Sequence, residues 1–276
     1  MTLNRVRVAV VGHVEWIRFA RVDHVPAAGA IAHSFENWDQ VGGAGAVAAI
    51  QLAQLAGEAT LFTALGDDDL GHASATELEE RGVRVHACYE RVPTRWALTH
   101  LDDNGERTIT TVGPKLRPRG NDDSLPWHEL AHMDAVVFVA GDVDALLRAR
   151  RASVVTATAR ELDVLRRGAV VLDALVGSGE DVHEHFRPGD LDPPPSLVVT
   201  TSGALGGWAQ PGGPFSASPP PGPIEDTYGA GDCFLAGLTY ALAAGLDATD
   251  AVGFAARCGA AALTGRGVSP QPVELR

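Results

Sequence analysis

The residues with the clearest chemical potential are Gly229, Ala230, Gly231 and Asp232, in the stretch GAGD. Apolar residues follow them at helical spacing, which predicts that these four residues form the first turn of a buried helix. Such a turn has free backbone N–H groups and the positive end of the helix dipole, so it can bind a phosphate group. A carboxylate beside that phosphate could accept the proton of an attacking hydroxyl group. The stretch therefore predicts phosphoryl transfer, and the alternative is a tight turn whose carboxylate only stabilises the helix start.

The elements that would position this turn follow from the rest of the pattern. Short β-branched runs alternate along the chain with Ala- and Leu-rich stretches of helical spacing. Apolar strands separated by helices are typical of a mostly parallel sheet covered by helices on both sides. We therefore expect an α/β fold, a three-layer sandwich in one domain over residues 1–276. The stretches interpreted as strands are VRVAVVG, ATLFTALG, AVVFVAG, SVVTAT, AVVLDAL and SLVVTT.

Two segments, residues 13–38 and about 85–112, alternate apolar and polar residues instead. The second contains DDNGERT, whose Asn-Gly pair is typical of a hairpin turn. We expect the two segments to form a small antiparallel sheet that stands off the main sheet as a lid over the site. An uncovered sheet face and edge favour association, so the lid also predicts a homodimer.

Composition excludes several classes of partner. The formal net charge is −13 and no run of Lys and Arg forms a basic stripe, which argues against a nucleic acid or an anionic membrane as partner. Three widely spaced cysteines without a CxxC motif indicate a reducing compartment, and we expect the cytoplasm. The apolar run near the N-terminus is too short to span a bilayer and is interpreted as the first strand.

The stretch DTYGAGD, residues 226–232, resembles the DTxGAGD signature of the ribokinase-like (PfkB) carbohydrate and nucleoside kinases. Further similarities follow the order of that family along nearly the whole chain: GG at 42–43, GDDDLG at 66–71, GERTI at 105–109 and TSGALG at 201–206. The resemblance implies a ribokinase-like fold and an ATP-dependent kinase that phosphorylates a hydroxyl of a small sugar-like or nucleoside-like substrate. It also implies that Asp232 is the general base and that the amides of residues 229–231 form the anion hole.

The resemblance and the neighbouring sequence assign further candidate residues by the group that each would bind. The candidates for ATP are Thr201, Gly203 and Gly206, and those for a monovalent cation such as K⁺, near TGRG at 264–267, are Asp226 and Thr227. The candidates for the phosphate acceptor are Gly42, Gly43, Glu15 and Arg95. Ser178 and Asp181 are the candidates for Mg²⁺ held through water.

The acceptor side departs from the family pattern at two positions. Ile17 stands nearest to the place of an aspartate that hydrogen-bonds sugar hydroxyls in many members, and Val47 stands in place of an asparagine. A site that lacks such partners loses discrimination for hydroxyl groups, so an ordinary ribose or fructose pose is not expected. The acceptor is then less polar, or it is held by other lid residues such as Trp16, Asn37, Trp38 or Arg95.

The metal position is also altered. The family usually has Asn-x-x-Glu there, and this chain has Ser178-x-x-Asp181, an oxygen donor followed by a carboxylate at the same spacing. A hard cation requires only oxygen ligands, often through water. Glu184 is the competing candidate, and His183 and His185 are interpreted as surface residues because no third ligand is visible.

Two other functions stay open. The altered acceptor positions favour a catalytically silent ribokinase-like protein that binds a small ligand or regulates a partner, whereas the intact GAGD stretch disfavours it. Gly43-x-Gly45-x-x-Ala48 also matches the dinucleotide-binding glycine string of an NAD-dependent oxidoreductase. That string requires a hydrophobic strand directly before it, and SFENWDQV is not one.

Overall fold

The structure is a computed structural model that describes residues 6–275. Its strands belong to one large sheet and one small sheet. In chain order the strands are β1 (Val8–Val11), β2 (Glu15–Arg21), β3 (Glu36–Gly42), β4 (Ala59–Gly66), β5 (Val83–Glu90), β6 (Trp96–Leu101), β7 (Arg107–Val112), β8 (Ala135–Phe138), β9 (Val154–Thr158), β10 (Ala174–Ser178), β11 (Val198–Thr201), β12 (Gly207–Gln210) and β13 (Gly213–Phe215).

The large sheet has the order β13-β12-β11-β10-β9-β8-β1-β4-β5. Every pair from β11 to β5 is parallel, which confirms the predicted α/β class. The strands β1, β4 and β8 at the centre of the sheet are largely apolar because both faces are buried: in β1, Val8 and Val10 pack into one core and Ala9 and Val11 into the other. The antiparallel hairpin of β12 and β13 at one edge was not predicted.

Helices cover both faces of this sheet. Residues of α1, α2, α5 and α6 share one hydrophobic core, and residues of α3 and α4 share the other, which gives the expected three layers. None of the helices in residues 6–275 combines the length and apolarity needed to cross a membrane. The α-helices are α1 (Ala44–Ala56), α2 (Asp69–Glu80), α3 (Val143–Ala149), α4 (Leu162–Gly168), α5 (Ala230–Ala243) and α6 (Ala248–Ala262).

The small sheet is the lid, with the order β3-β2-β6-β7. The sheet is mixed and not antiparallel as predicted, because β2 and β6, the central strands, pair in parallel. The predicted boundary at residue 85 is also wrong, since residues 83–90 form β5 and pair in register with β4 at the edge of the large sheet. An edge strand with one partly exposed face alternates apolar and polar residues just as a lid strand does, which explains the error.

One predicted strand is displaced. AVVLDAL covers residues 169–175, but β10 begins only at Ala174. Ala169 ends α4 in the left-handed conformation with φ of 47°. Asp173, directly before β10, is fixed by its side chain. Its carboxylate accepts hydrogen bonds from the Val155 amide at 2.7 Å and from Arg150 at 2.7 Å.

The parallel strands bring polar residues to one edge of the sheet. His13 lies just beyond β1, Arg160 just beyond β9, Ser178 ends β10 and Thr201 ends β11. In open α/β sheets, ligands bind in the crevice outside the carboxyl ends of the strands. This edge is therefore where the functional site is expected.

Candidate active site

The GAGD stretch forms the first turn of α5, as predicted. Gly229 precedes the helix with φ of 76°, and a Cβ atom there would lie 2.9 Å from Cγ1 of Val47. Both the conformation and the contact therefore require glycine at this position. At Gly231, by contrast, a Cβ atom would have no protein atom within 4 Å. Gly231 is exposed, so no side chain from another element covers this side of the turn.

Asp232 lies in the first turn of α5, partly open to solvent but surrounded by protein on most sides. Burial, together with the negative charge of Glu184, raises the pKa of its carboxyl group to about 6. Three cations, Arg107, Arg160 and Lys115, act against this shift. A carboxylate with a pKa near neutrality is suited to accept a proton and later release it.

The loop before α5 is fixed by Asp226, which is fully buried. Its two carboxylate oxygens accept hydrogen bonds from the Tyr228 amide at 2.9 Å and from the Gly267 amide at 2.7 Å. Burial raises the pKa of Asp226, and these two hydrogen bonds oppose the shift. Asp226 therefore joins the DTYGAGD loop to the TGRG segment, as the sequence suggested for these neighbours. A monovalent cation at this place stays a prediction.

The lid contacts the same loop through its β6–β7 hairpin. The Thr227 amide donates a hydrogen bond to the Gly105 carbonyl at 3.1 Å, and Arg107 Nη1 donates to the Thr227 carbonyl at 2.6 Å. The charge of Arg107 lowers the pKa of Asp232, so the hairpin also affects the electrostatics of the site. The lid hairpin is therefore attached to the loop that precedes Asp232.

The predicted acceptor residues lie together on the other side of the turn. Gly43 directly precedes α1 with φ of 84°, and its amide donates a hydrogen bond to the Tyr228 hydroxyl at 2.9 Å. Glu15 packs against Gly43 and is ion-paired with Arg95, whose Nε lies 3.0 Å from Glu15 Oε1. Burial raises the pKa of Glu15, and Arg95 opposes that shift. Gly42 ends β3 directly before this group.

The two residues that depart from the family pattern are core residues. Ile17 is fully buried against Gly42, and Val47 is buried against Gly229. Neither side chain offers a hydrogen bond to an acceptor. The polar side chains on this side of the site are instead charged ones.

The predicted nucleotide loop follows β11. Thr201 ends that strand, and the Ser202 amide closes the loop by donating to the Gly206 carbonyl at 2.8 Å. Gly203 and Gly206 have φ of 51° and 89°, and a Cβ atom at Gly206 would collide with the Phe215 carbonyl oxygen. The glycines are therefore required by the backbone itself, and residues 203–205 are exposed at the carboxyl edge of the sheet.

The residues predicted for Mg²⁺ do not form a direct binding site. Arg160 is ion-paired with both Asp181 and Glu184, and the second oxygen of Glu184 accepts a hydrogen bond from the Ser178 amide at 3.0 Å. Within residues 6–275 there is no group of three or more His, Cys, Asp or Glu residues placed to hold a metal ion. Because an arginine neutralises both carboxylates, the donor set does not fit a directly bound cation. Binding through water stays a prediction, and no step below depends on it.

Sequence reasoning assigned no role to four charged or titratable residues of the site: His13, Lys115, Arg107 and Arg160. Two of them could have been found, since His13 and Arg160 come directly after strands that were predicted correctly. Lys115 carried a different signal, because it is the only lysine in the sequence.

Comparison with known proteins agrees with this fold. The pfkB family carbohydrate kinase model matches residues 6–184 and 152–274. The ATP-dependent ribose-1-phosphate kinase of Halopiger xanaduensis is 30% identical over 282 residues, which cover 92% of this chain and 91% of that protein. The ribokinase of Thermotoga maritima superposes with a TM-score of 0.75 at 20% identity, over 95% of this chain and 94% of that one. The adenosine kinase of Sinorhizobium meliloti superposes with a TM-score of 0.75 at 17% identity, over 97% and 96% of the two chains. The chain belongs to the pfkB family of carbohydrate kinases.

Proposed function

We propose that the protein transfers the γ-phosphoryl group of ATP to a hydroxyl group of a small sugar-like or nucleoside-like acceptor, with Asp232 as general base. The observation that carries this proposal is the first turn of α5. There, a carboxylate with a raised pKa of about 6 lies beside amides that no protein side chain covers on the Gly231 side. The names of the relatives, an ATP-dependent ribose-1-phosphate kinase, a ribokinase and an adenosine kinase, support ATP as donor and a sugar or nucleoside as acceptor.

The chemistry requires little covalent participation of the protein. The acceptor oxygen attacks the γ-phosphorus, the bond from that phosphorus to the bridging oxygen breaks, and ADP leaves with the electron pair. Asp232 takes the proton of the attacking hydroxyl. The amides of residues 229–231, at the positive end of the helix dipole, stabilise the charge on the transferring group. The backbone of residues 201–206 would hold the nucleotide phosphates.

Binding of the nucleotide can be tested without knowledge of the acceptor. We expect ATP and ADP to raise the melting temperature of the protein and NAD and NADP to leave it unchanged, since a ligand that binds only the native state stabilises it. Differential scanning fluorimetry with the four nucleotides measures this. A shift with NAD and none with ATP would exclude the kinase assignment of the site, while ATP binding without ADP release for any acceptor would favour the catalytically silent alternative.

The raised pKa of Asp232 predicts the pH dependence of the reaction. Because the general base must be ionised, kcat/KM should fall as the pH drops through about 6, by up to tenfold per pH unit below that value. An ordinary aspartate would give this acid limb two pH units lower. Rates measured between pH 4.5 and 8 on substrates at low concentration give the value. If kcat/KM has not begun to fall at pH 5, Asp232 is not the group whose ionisation limits the rate.

Two further features stay proposals. The six residues of β7 are all exposed at the edge of the lid, among them Ile109 and Val112, which suits association of two lids into a homodimer. A monovalent cation such as K⁺ would bind near Asp226 and Thr227. Sedimentation analysis tests the homodimer, and a comparison of the activity in Na⁺ with that in K⁺ tests the monovalent-cation site.

A further inference from the structure

The fold places an arginine against the carboxylates that were predicted to serve Mg²⁺. Arg160 lies in the 3₁₀ turn Ala159–Glu161 after β9, and Glu184 lies in the 3₁₀ turn Val182–Glu184 after β10, which Asp181 directly precedes. Because β9 and β10 are neighbouring parallel strands, both turns lie at the same edge of the large sheet. We call Arg160, Asp181 and Glu184 the arginine–carboxylate group.

Every carboxylate oxygen of this group already has a protein donor. Oδ1 of Asp181 accepts a hydrogen bond from the His183 amide at 2.9 Å, and Oδ2 accepts one from Nη2 of Arg160. Oε1 of Glu184 accepts hydrogen bonds from Nε of Arg160 at 3.0 Å and from Nη2 at 2.6 Å. Oε2 of Glu184 accepts one from the Ser178 amide at 3.0 Å. All four oxygens are therefore engaged by the protein itself.

The remaining candidate donor is engaged as well. The hydroxyl oxygen of Ser178 accepts a hydrogen bond from the Glu180 amide at 3.2 Å. A hard cation requires several oxygen ligands around it, at about 2.0–2.6 Å when they bind directly. A guanidinium group is permanently charged and bonds to carboxylates through a planar set of donors. Arg160 therefore neutralises carboxylate charge as a metal ion would, but it leaves no open position for a ligand.

The charges around the group also bear on how ATP can bind. Arg160 balances only one of the two carboxylates, so the group keeps one negative charge. Oε1 of Glu180 lies 3.2 Å from the position of a Cβ atom at Gly203, so a further acidic side chain borders the predicted nucleotide loop. These carboxylates repel a triphosphate that carries no metal ion. A metal ion must therefore accompany ATP, although the group itself offers that ion no free set of ligands.

The arginine–carboxylate group lies beside both parts of the candidate active site. Ser178, whose amide binds Glu184, pairs in register with Thr201, where the predicted nucleotide loop begins. Burial is the largest cause of the raised pKa of Asp232, the charge of Glu184 is the next, and Arg160 acts against both. A change at Arg160 is therefore expected to be felt at the nucleotide and at the base.

We propose that Arg160 is a built-in cation that takes the position of a protein-bound metal ion, so that the protein alone binds no divalent cation there and Mg²⁺ is brought in only by ATP. The part that concerns ATP rests on the proposed function, whereas the part that concerns the protein alone does not. Arg160 is then a positioning residue, which holds Asp181 and Glu184 in place of a metal ion.

The first test uses Mn²⁺ alone, without nucleotide, because Mn²⁺ takes the same oxygen ligands and the free ion is counted by electron paramagnetic resonance. For the wild type we expect no site with a Kd below about 1 mM. Arg160→Gln removes the cation and frees both carboxylates, so this variant should gain one site with a Kd of about 0.1–1 mM. The double variant Arg160→Gln with Glu184→Gln should lose that site again.

Two further variants separate the charge of Arg160 from general effects. Arg160→Lys keeps a cation beside the carboxylates and should bind Mn²⁺ as weakly as the wild type. Arg166→Gln is the matched control, since Arg166 is exposed and pairs with a single carboxylate, that of Asp163, at 3.2 Å. Loss of this arginine should create no Mn²⁺ site, because one exposed carboxylate does not form a ligand set.

The second test measures ATP binding by calorimetry while the Mg²⁺ concentration is varied. The affinity of the wild type should rise until ATP is saturated with Mg²⁺ and then stay constant within about twofold, because free Mg²⁺ has no site of its own on the protein. In Arg160→Gln it should continue to rise by more than about twofold over the same range. No acceptor is needed, and the wild-type measurements hold even if Arg160→Gln fails to fold.

The outcomes separate this inference from the proposed function. A wild-type Mn²⁺ site that is tighter than about 1 mM and is lost in Glu184→Gln overturns the inference and leaves the kinase intact. The inference is also wrong if Arg160→Gln folds and gains no Mn²⁺ site, or if the wild-type ATP affinity keeps rising with free Mg²⁺. If ATP does not bind at all, the proposed function fails, and the gain of a Mn²⁺ site in Arg160→Gln still supports the role of Arg160.

Discussion

Asp232→Asn should lose phosphoryl transfer by about 10²- to 10⁴-fold in kcat, with the affinity for ATP nearly unchanged. Asparagine has almost the same shape, so α5 begins as before. The anion-binding amides belong to the backbone and are not altered. What disappears is the proton acceptor. Steady-state rates and ATP dissociation constants of the two proteins measure the two effects separately.

The same substitution should stabilise the folded protein above pH 6. The folded state holds the carboxyl group at a pKa of about 6, above its ordinary value of 3.8, so ionised Asp232 is unfavourable in the fold. The gain should be on the order of 1 to 2 kcal/mol after allowance for its partial exposure, and it should disappear as the pH falls from 6 to below 4. Urea unfolding at pH 8 and pH 4 measures it. A protein that is less stable at pH 8 after the change would contradict this electrostatic account.

Asp250→Asn is a matched control for both effects. Asp250 also lies in the first turn of a helix, α6, but it is exposed and outside the site. It should lose only the small helix-dipole interaction, typically 0.3–1 kcal/mol, with no change in kcat. An equal loss of activity in both variants would assign the effect to the helix start and not to the base.

Gly231→Val should weaken ATP binding and slow turnover while the protein still folds. No protein atom lies within 4 Å of the Cβ position at Gly231, and valine has a helix propensity no worse than that of glycine. A branched side chain there would occupy the space in front of the anion-binding amides. We expect kcat to fall by about 10²- to 10³-fold, as when an oxyanion donor is lost, together with a weaker ATP affinity.

Gly253→Val provides the comparison for this second prediction. Gly253 lies inside α6, and a Cβ atom there also has no protein atom within 4 Å. Both variants should keep the wild-type free energy of unfolding within about 1 kcal/mol, and only Gly231→Val should have a weaker ATP affinity in calorimetry. Normal turnover in Gly231→Val would place the transferring phosphate elsewhere.

The sequence predicted those features that depend on local pattern. The parallel strands and α5 follow from short apolar runs and helical spacing, so Asp232 and Gly229 could be placed at a helix start before the structure was known. The lid was predicted from alternation, but alternation alone does not distinguish a lid strand from an edge strand, and residues 85–90 belong to β5.

Features that depend on contacts between distant residues could not be predicted. The ion pair of Lys115 with Glu161 and the hydrogen bond of Gly43 with Tyr228 join residues 46 and 185 positions apart, and no periodicity reports them. The same holds for Arg160, whose pairing with Asp181 removes the free carboxylate on which the predicted metal site depended. Asp232 was identified because its motif consists of consecutive residues, whereas the ion pairs of Lys115 and Arg160 form only when the chain folds.

The central claim, that Asp232 accepts the proton during phosphoryl transfer, is tested most directly by single-turnover kinetics. Enzyme in excess over γ-labelled ATP is mixed with a saturating acceptor, and transfer of the label is followed for the wild type and Asp232→Asn. If Asp232 is the base, the first turnover of the variant should be slower by about 10²-fold or more at equal ATP occupancy. A first turnover within about threefold of the wild type would show that another residue is the base.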